Sequence, residues 1–367
     1  MGVRCAAFLA ILGCVAASAG DPPPKGLRVI CRNLIEPRHE EVYKGILAQP
    51  YVSGLLVYVD WRYLEPREGE FQWRLLDRPL ELAREHGKVV SIGIPVQVFS
   101  PPWLLQGSNT YSFRHIHPSV GVVQSPVPWD PDYKEAMKRM VTALAERYDG
   151  KTGVHYIAMT GPSSLFGLET NFPMAELSPD MSAGLGYTNA KFEAGWRDMI
   201  DHYMNCFSQS DLSLGMHHDI PAFLGGSHDD VMQTVRSIRD YAIQRQADRA
   251  NGRLVLRLLG LGLDNPKYFP GPYTDADSTI SDYLALVWEV RDKVDVAFEV
   301  NRVFSRPNAG RPPLEPDQFA RVLQNGITYG PRWIEVKEWD VWDTQTNAPY
   351  APYVPPMTDA AALLQQE

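Results

Sequence analysis

The feature that most constrains this chain is an eightfold alternation of short β-rich runs with longer amphipathic stretches. Buried parallel strands read as apolar runs, and the helices between them show apolar spacing on one face. The predicted strands are Leu27–Cys31, Gly54–Asp60, Lys88–Pro95, Val154–Thr160, Leu212–His217, Arg253–Leu263, Val294–Asn301 and Trp333–Glu338. The predicted helices are Glu40–Leu47, Asp77–His86, Pro131–Asp149, Asn189–Phe207, Asp229–Ala250, Thr279–Lys293 and Pro316–Gln324.

This alternation predicts an α/β fold, a (β/α)8 TIM barrel forming a single domain. Such barrels typically take about 250 residues, and the chain has 367. An open doubly wound sheet is the alternative, but it would want a glycine-rich phosphate loop after its first strand. The sequence there is NLIEP, residues 33–37, which contains no glycine. In a barrel, the active site is expected where the strands end and the following loops begin.

The two ends of the chain read differently from the barrel. Arg4, a short apolar run and an Ala-x-Ala end are typical of a secretory signal peptide. The run is too short to span a bilayer, so we expect a secreted or periplasmic protein without a membrane span. Residues 11–14 loosely match a lipoprotein box, which keeps a lipoprotein open as an alternative. The predicted division is a signal peptide at 1–19, a linker at 20–26, the barrel catalytic domain at 27–345 and a C-terminal tail at 346–367.

Charge and cysteine content exclude several classes of function. The formal net charge of −9 argues against nucleic-acid binding, which needs a basic surface. Outside the signal segment only Cys31 and Cys206 remain, and a disulfide and two free thiols are both compatible with the sequence. No CxxC pair or zinc spacing is present, and we predict no cofactor and no metal. The sequence sets no oligomeric state.

The second and third βα units carry the most specific motif. It runs W-x-x-L-E-P from Trp61 through G-x-F-x-W-x-x-L-D ending at Asp77, and is followed by PPWL at residues 101–104. Over residues 52–105 this succession resembles the (β/α)8 retaining glycoside hydrolases of clan A, and most closely the family 42 β-galactosidases. The resemblance implies an acid/base at the end of the fourth strand, usually within Asn-Glu, and a nucleophilic Glu at the end of the seventh.

Both expected positions hold a candidate carboxylate. No Asn-Glu pair follows the fourth strand, and the first acid there is Glu169, nine residues past Thr160. We expect Glu169 to be the acid if its loop folds back over the barrel mouth. The seventh strand contains Glu299 between Phe298 and Val300, and a buried carboxylate there must be paired or functional. Glu299 is therefore the candidate nucleophile.

The eighth strand offers two alternative catalytic residues. Strand alternation places Glu335 and Lys337 on one face and Ile334, Val336 and Glu338 on the other. An error of one unit in the strand count would make Glu335 or Glu338 the nucleophile.

Aromatic and polar side chains near the strand ends are candidates for sugar contact, because sugars present flat C–H faces and hydroxyl groups. The predicted substrate-binding residues are Asp60, Trp61, Trp103, His217 and Trp339. Neighbouring strand residues point to opposite faces, so His217 and His218 do not make an easy metal site.

The leading hypothesis is an exported glycoside hydrolase with a carbohydrate substrate and a two-carboxylate, retaining mechanism. A carbohydrate-binding barrel without catalysis is the alternative, motivated by the missing Asn-Glu. A metal-dependent barrel hydrolase using His217 or His218 is the third. The sugar and its linkage stay open.

Overall fold

Eight parallel strands close into a barrel. In a computed structural model of the protein, the described residues are 25–36, 39–115, 120–163, 166–172, 185–217, 227–263, 281–308 and 310–366. The barrel strands are β1 (Gly26–Arg32), β2 (Val52–Tyr58), β3 (Val89–Gly93), β4 (Val154–Ala158), β5 (Asp211–Met216), β6 (Leu254–Leu261), β7 (Asp295–Val300) and β8 (Trp333–Lys337). The predicted (β/α)8 fold is confirmed, and the barrel closes where β8 pairs with β1.

The barrel is surrounded by helices that follow the strands along the chain. They are α1 (His39–Leu47), α2 (Arg74–Glu85), α3 (Pro131–Tyr148), α4 (Asn189–Cys206), α5 (His228–Gln246), α6 (Asp282–Trp288), α7 (Pro316–Ile327) and α8 (Val354–Gln366). Side chains fix where several of them begin. Asp130 accepts hydrogen bonds from the first-turn amides of α3, and Ser227 and Asp230 form a capping box at α5.

Shorter elements decorate the ends of the strands. Short helices of three to six residues are formed by Trp61–Leu64, Gln97–Phe99, Pro102–Gly107, Glu338–Val341 and Ala351–Tyr353. An antiparallel hairpin pairs Thr110–Arg114 with Val122–Pro126, and Trp342–Asp343 pairs with Ala348–Pro349. The sequence had predicted that the second strand runs to Asp60. In the structure β2 ends at Tyr58, and Asp60 belongs to the turn that follows it.

The eighth helix was not among the predicted helices. Its buried residues, Met357, Ala360, Ala361 and Leu364, recur at helical spacing and lie against β1 and α7. Two prolines open the helix and obscured this pattern, because proline is tolerated in a first turn but reads as a helix breaker elsewhere.

Strand alternation divides the core into two layers. A large cluster fills the space between the strands and the helices. A smaller cluster inside the barrel includes Ile30, Leu56, Tyr156, Ala297 and Trp333. The inward positions of β6, β7 and β8 also carry charged residues, and this is where the candidate site begins.

Three predictions about the rest of the chain have different outcomes. Within the described residues, no helix is long and apolar enough to cross a membrane. Cys31 and Cys206 are both free thiols. The predicted signal peptide, and all but residues 25 and 26 of the predicted linker, lie outside the described residues.

Candidate active site

Glu169 lies at the carboxyl end of the barrel beside β5. The pairing of β4 with β5 aligns Ala158 with Ser213, so two further residues of β4 would reach Gly215. Glu169 takes that place instead, through an isolated parallel bridge to Gly215. After β4, the Gly161 amide donates to the Gly167 carbonyl at 2.8 Å, which brings the two described ends of the connecting segment together. Glu169 therefore occupies a strand-end position although its sequence distance suggests a loop.

Contacts with β5 fix the segment that carries Glu169. The Thr170 amide donates to the Gly215 carbonyl at 2.9 Å. The Thr170 hydroxyl donates to the carbonyl of His217 and accepts from its amide, each at 2.9 Å. The absence of a side chain at Gly215 is needed here, since a Cβ on it would lie 2.9 Å from the Glu169 Cγ and closer still to a backbone carbonyl. These contacts turn Glu169 toward the strand ends.

Glu299 lies on the inner face of β7, between two cations. The Arg257 guanidinium donates to Glu299 Oε2 at 3.0 Å, and the Lys337 ammonium donates to Oε1. The strand register places Leu259 of β6 and Glu335 of β8 on either side of Glu299. The residue is 5 % exposed, so its carboxylate is almost completely buried.

Glu335 is held deeper in the same charge network. It has no exposed surface, and the Tyr156 hydroxyl and the Trp333 indole both donate to its Oε1. Arg257 donates to its other oxygen at 3.3 Å. Burial raises the pKa of Glu335, and the nearby charge of Glu299 adds to the rise. With both oxygens engaged and no surface, Glu335 supports Arg257 from below instead of facing a ligand.

The two leading carboxyl groups have opposite electrostatic character. Burial raises the pKa of Glu169 to about 7, and the charge of Glu299 adds to the rise, against Arg257, Lys337 and the Asn171 amide. Burial would also raise the pKa of Glu299, but Lys337 and Arg257 outweigh it and lower the pKa. Near neutral pH, Glu169 is thus able to carry a proton, while Glu299 is an ionised carboxylate. Pairs separated in this way are typical of acid/base and nucleophile assignments.

Glu338 faces away from Glu169 and Glu299. It begins the turn after β8, and its charge acts on Cys31 and Tyr43 of the outer core. Burial raises its pKa to about 7. Strand alternation had predicted opposite faces for Glu335 and Glu338, and the structure agrees. Because β7 is the seventh barrel strand, the alternative based on a miscounted strand is wrong.

The predicted substrate-binding residues are placed unevenly. Trp61 is fully buried and donates its indole N–H to Glu65 at 2.7 Å, so it packs inside the protein in this structure and its contact with a sugar stays a prediction. Asp60 is also fully buried and binds Arg32 and Arg62, at 3.2 and 3.1 Å. It therefore positions two arginines instead of presenting a free carboxylate.

The other three stay predictions as ligands. Trp103 is half-buried and donates to the Glu65 carbonyl at 3.1 Å. Trp339 is also half-buried, but the Arg306 guanidinium lies 3.7 Å from its ring centroid and covers one face. His217 directly follows β5, next to the Glu169 segment, and its ring centroid lies 5.0 Å from that of Tyr283. His218 lies outside the described residues.

Sequence reasoning missed the basic residues that surround the carboxylates. Arg257 sits mid-strand in an apolar run, LVLRLLGL, where a lone arginine signals a buried partner. Arg32 at the end of β1 lies between the rings of Phe99 and Phe166, 4.5 and 4.6 Å from their centroids. Tyr58 also contacts Arg257. No group of three or more metal-ligating side chains occurs among the described residues.

Comparison with known proteins gives a family match over part of the chain and a likeness of fold over most of it. Residues 52–160 match the family model of glycoside hydrolase family 42, described as β-galactosidase. No curated protein matches the chain in sequence. The matched segment includes the motif after β2, and it ends just before the Glu169 segment.

The fold is similar to those of several solved glycoside hydrolases. The catalytic domain of a β-amylase from Paenibacillus polymyxa superposes with a TM-score of 0.57 at 11% identity, covering 93% of this chain and 98% of that one. Endo-glycoceramidase II from Rhodococcus sp. gives 0.55 at 14% identity, covering 91% and 78%. The β-galactosidase from Marinomonas ef1 gives 0.51 at 16% identity, covering 92% of this chain but only 59% of that protein.

Identities this low show the fold alone, whereas the family match carries the sequence relationship over residues 52–160. Taken with the closed barrel, that relationship confirms the likeness to the clan A barrels, and the chain is a glycoside hydrolase of the (β/α)8 type, its subclass open.

Proposed function

We propose that the protein is an exported, retaining glycoside hydrolase in which Glu169 is the acid/base and Glu299 the nucleophile. The observation that supports this most strongly is a pair of buried carboxyl groups close enough for the charge of Glu299 to act on Glu169. Their pKa values are shifted in opposite directions. Export is proposed from the residues at the start of the chain, which have the pattern of a signal peptide.

In the first step, protonated Glu169 donates its proton to the glycosidic oxygen. Ionised Glu299 attacks the anomeric carbon, the bond from that carbon to the glycosidic oxygen breaks, and the alcohol leaves. The sugar is then an ester of Glu299. In the second step, the Glu169 carboxylate takes a proton from water as the water oxygen attacks the same carbon, and the ester bond breaks. Both carboxyl groups return to their starting protonation states.

Arg257 and Lys337 give Glu299 its role in this scheme. They keep the carboxylate ionised although it is buried, and they hold its two oxygens in fixed directions. Charge leaves the carboxylate when the ester forms, so the cations favour the ionised ground state and the return of the free carboxylate in the second step.

A panel of aryl glycosides of different sugars tests the proposal. We expect Glu299→Gln and Glu169→Gln each to lower turnover at least about 10²-fold, because each removes a group that transfers a proton or forms a bond. Glu146→Gln is the matched control, since Glu146 is exposed on α3. Unchanged turnover in either active-site variant would contradict the assignment.

Sugar binding without cleavage is a second candidate function. It is favoured by the cations on both oxygens of Glu299, which occupy the lone pairs that an attacking carboxylate uses. It predicts oligosaccharide binding with no release of reducing ends during long incubation. Reducing sugar released by the wild-type protein but not by Glu299→Gln would rule it out.

A further inference from the structure

A cavity of about 380 Å³ lies at the carboxyl ends of β6 and β7, beside the candidate active site. Its volume falls within the range of roughly 300–1,000 Å³ that is usual for small-molecule sites. Leu263 follows β6 by two residues and Asn301 directly follows β7, and both line it. The Asn301 amide donates to the Leu261 carbonyl at 2.9 Å, which joins the two strand ends at this point.

The cavity is close to the candidate nucleophile. Asn301 follows Glu299 by two residues on the same strand end, an advance of about 7 Å at roughly 3.3 Å per residue. A ligand that fills the cavity and extends along β7 toward the barrel axis would therefore reach Glu299.

In the described part of the cavity lining, both charged residues are cations. Arg302 and Arg311 line it, and its described lining contains no aspartate or glutamate, although the chain as a whole has a net charge of −9. Arg302 is fixed, because its Nη1 donates to the Pro312 carbonyl at 3.1 Å and its guanidinium lies 5.1 Å from the Phe304 ring centroid. Arg311 is exposed. Arginine side chains suit planar carboxylates and sulfates, which accept two parallel hydrogen bonds.

The uncharged lining suits a sugar ring. The Asn301 Oδ1 is buried, and the described residues give it no hydrogen-bond donor. A buried acceptor of this kind is normally satisfied, and a sugar hydroxyl is a suitable donor. Gln318 uses its Oε1 to accept from the Glu315 amide, which leaves its NH₂ group to donate. Pro312 and Pro313 supply an apolar wall for a C–H face.

We propose that this cavity is a subsite for an acidic sugar, one that carries a carboxylate or a sulfate, next to the sugar that is cleaved. Arg311 would bind the anionic group, with the positive charge of Arg302 beside it, and Asn301 would accept from a hydroxyl. This inference rests on the proposed function for its relation to the cleaved bond, and it adds acidic oligosaccharides as the substrate class.

Isothermal titration calorimetry on the full-length Glu299→Gln protein tests the subsite without requiring turnover. The probes are trigalacturonate, a sulfated carrageenan tetrasaccharide and neutral cellotriose. We expect one of the acidic probes to bind at least tenfold more tightly than cellotriose, and the stronger of the two identifies the anionic group. Adding Arg311→Gln should remove most of that preference, whereas Arg321→Gln, which deletes an exposed charge of α7, should leave it unchanged.

The outcomes separate the subsite from the catalytic proposal. Equal binding of neutral and acidic probes, binding of neither class, or an acidic preference unaffected by Arg311→Gln would each overturn the subsite. Arg302 also holds the loop through its hydrogen bond to the Pro312 carbonyl. Arg302→Gln is therefore compared with its parent protein only if the two have the same thermal unfolding midpoint. Acidic preference together with a wild-type protein that cleaves neither these probes nor the aryl glycoside panel would keep the subsite and refute the catalytic proposal. Cleavage that depends on Glu299 but shows no acidic preference would do the reverse.

Discussion

At the scale of single residues, Glu169 and Glu299 differ because their neighbours differ. Both are buried, and burial alone raises the pKa of a carboxyl group. Lys337 and Arg257 each contact Glu299 directly, while the Glu169 side chain accepts a hydrogen bond from the neutral amide of Asn171 at 2.9 Å. The sequence indicated the two acids, but it did not indicate the cations, which come from β6 and β8, far from either acid along the chain.

Lys337 is predicted to set the pH range of activity. In the wild type, kcat/KM should fall as pH rises through about 7, because Glu169 then loses the proton that it must donate. It should also fall at low pH, where Glu299 becomes protonated. Lys337 lowers the pKa of both groups, so Lys337→Met should move both limbs of the profile to higher pH.

The control for that measurement is Lys293→Met. It removes an exposed lysine two residues before β7 and should leave both limbs of the pH profile at their wild-type positions. If both limbs of the Lys337→Met profile stay at the wild-type pH, Lys337 does not control the ionisation of the pair. This holds whatever the maximum kcat/KM of the variant is.

At the scale of elements, the position of Glu169 depends on how its segment rejoins the barrel. The predicted strands and helices largely match the structure, because apolar periodicity reports which side of each element is buried. Periodicity says nothing about how a segment beyond the end of β4 comes to pair with Gly215 of β5 at Glu169. The hairpin strand Thr110–Arg114 does alternate polar and apolar residues, but over only five positions, which is too short a run to predict a strand from. The burial of Trp61 was also missed, because it depends on the packing of distant residues.

Gly215→Ala is predicted to displace Glu169 without unfolding the barrel. The added methyl group would collide with the backbone at Leu168 and with the Glu169 side chain, so the segment must move away from β5. A displacement of about 1 Å can lower turnover about 10²-fold, and a loss of at least that size is expected in kcat.

Gly107→Ala is the control, because a Cβ at Gly107 meets no atom within 4 Å. Circular dichroism should show both variants folded. Wild-type turnover in Gly215→Ala would mean that the contact between the segment and β5 does not position the acid.

At the scale of the whole molecule, the barrel is a single unit that extends to the last helix. The predicted domain ended at residue 345, yet α8 packs on β1 and α7. Before it, Tyr353 stacks on Phe319 with ring centroids 4.1 Å apart and donates to the carbonyls of Phe304 and Leu314. These contacts join the end of the chain to the loop after β7, which also carries the proposed acidic subsite.

Two adjacent leucines of α8 test this connection. Leu364 is fully buried and Leu363 is 38 % exposed. Leu364→Ala should lower the free energy of unfolding by about 2–4 kcal/mol, as cavities in packed cores do. Leu363→Ala should change it by less than about 0.5 kcal/mol. Chemical denaturation measures both, and equal small effects would mean that the helix does not contribute to the barrel core.

The proposed mechanism depends most on the separate roles of Glu169 and Glu299 at one glycosidic bond. Proton NMR of the products formed with azide from an activated aryl glycoside tests those roles directly. With Glu299→Ala, azide should replace the nucleophile and give a glycosyl azide of inverted anomeric configuration. With Glu169→Ala, azide should attack the ester of Glu299 and give the retained configuration. The reverse pattern, or no glycosyl azide from either variant of an active enzyme, would contradict the assignment.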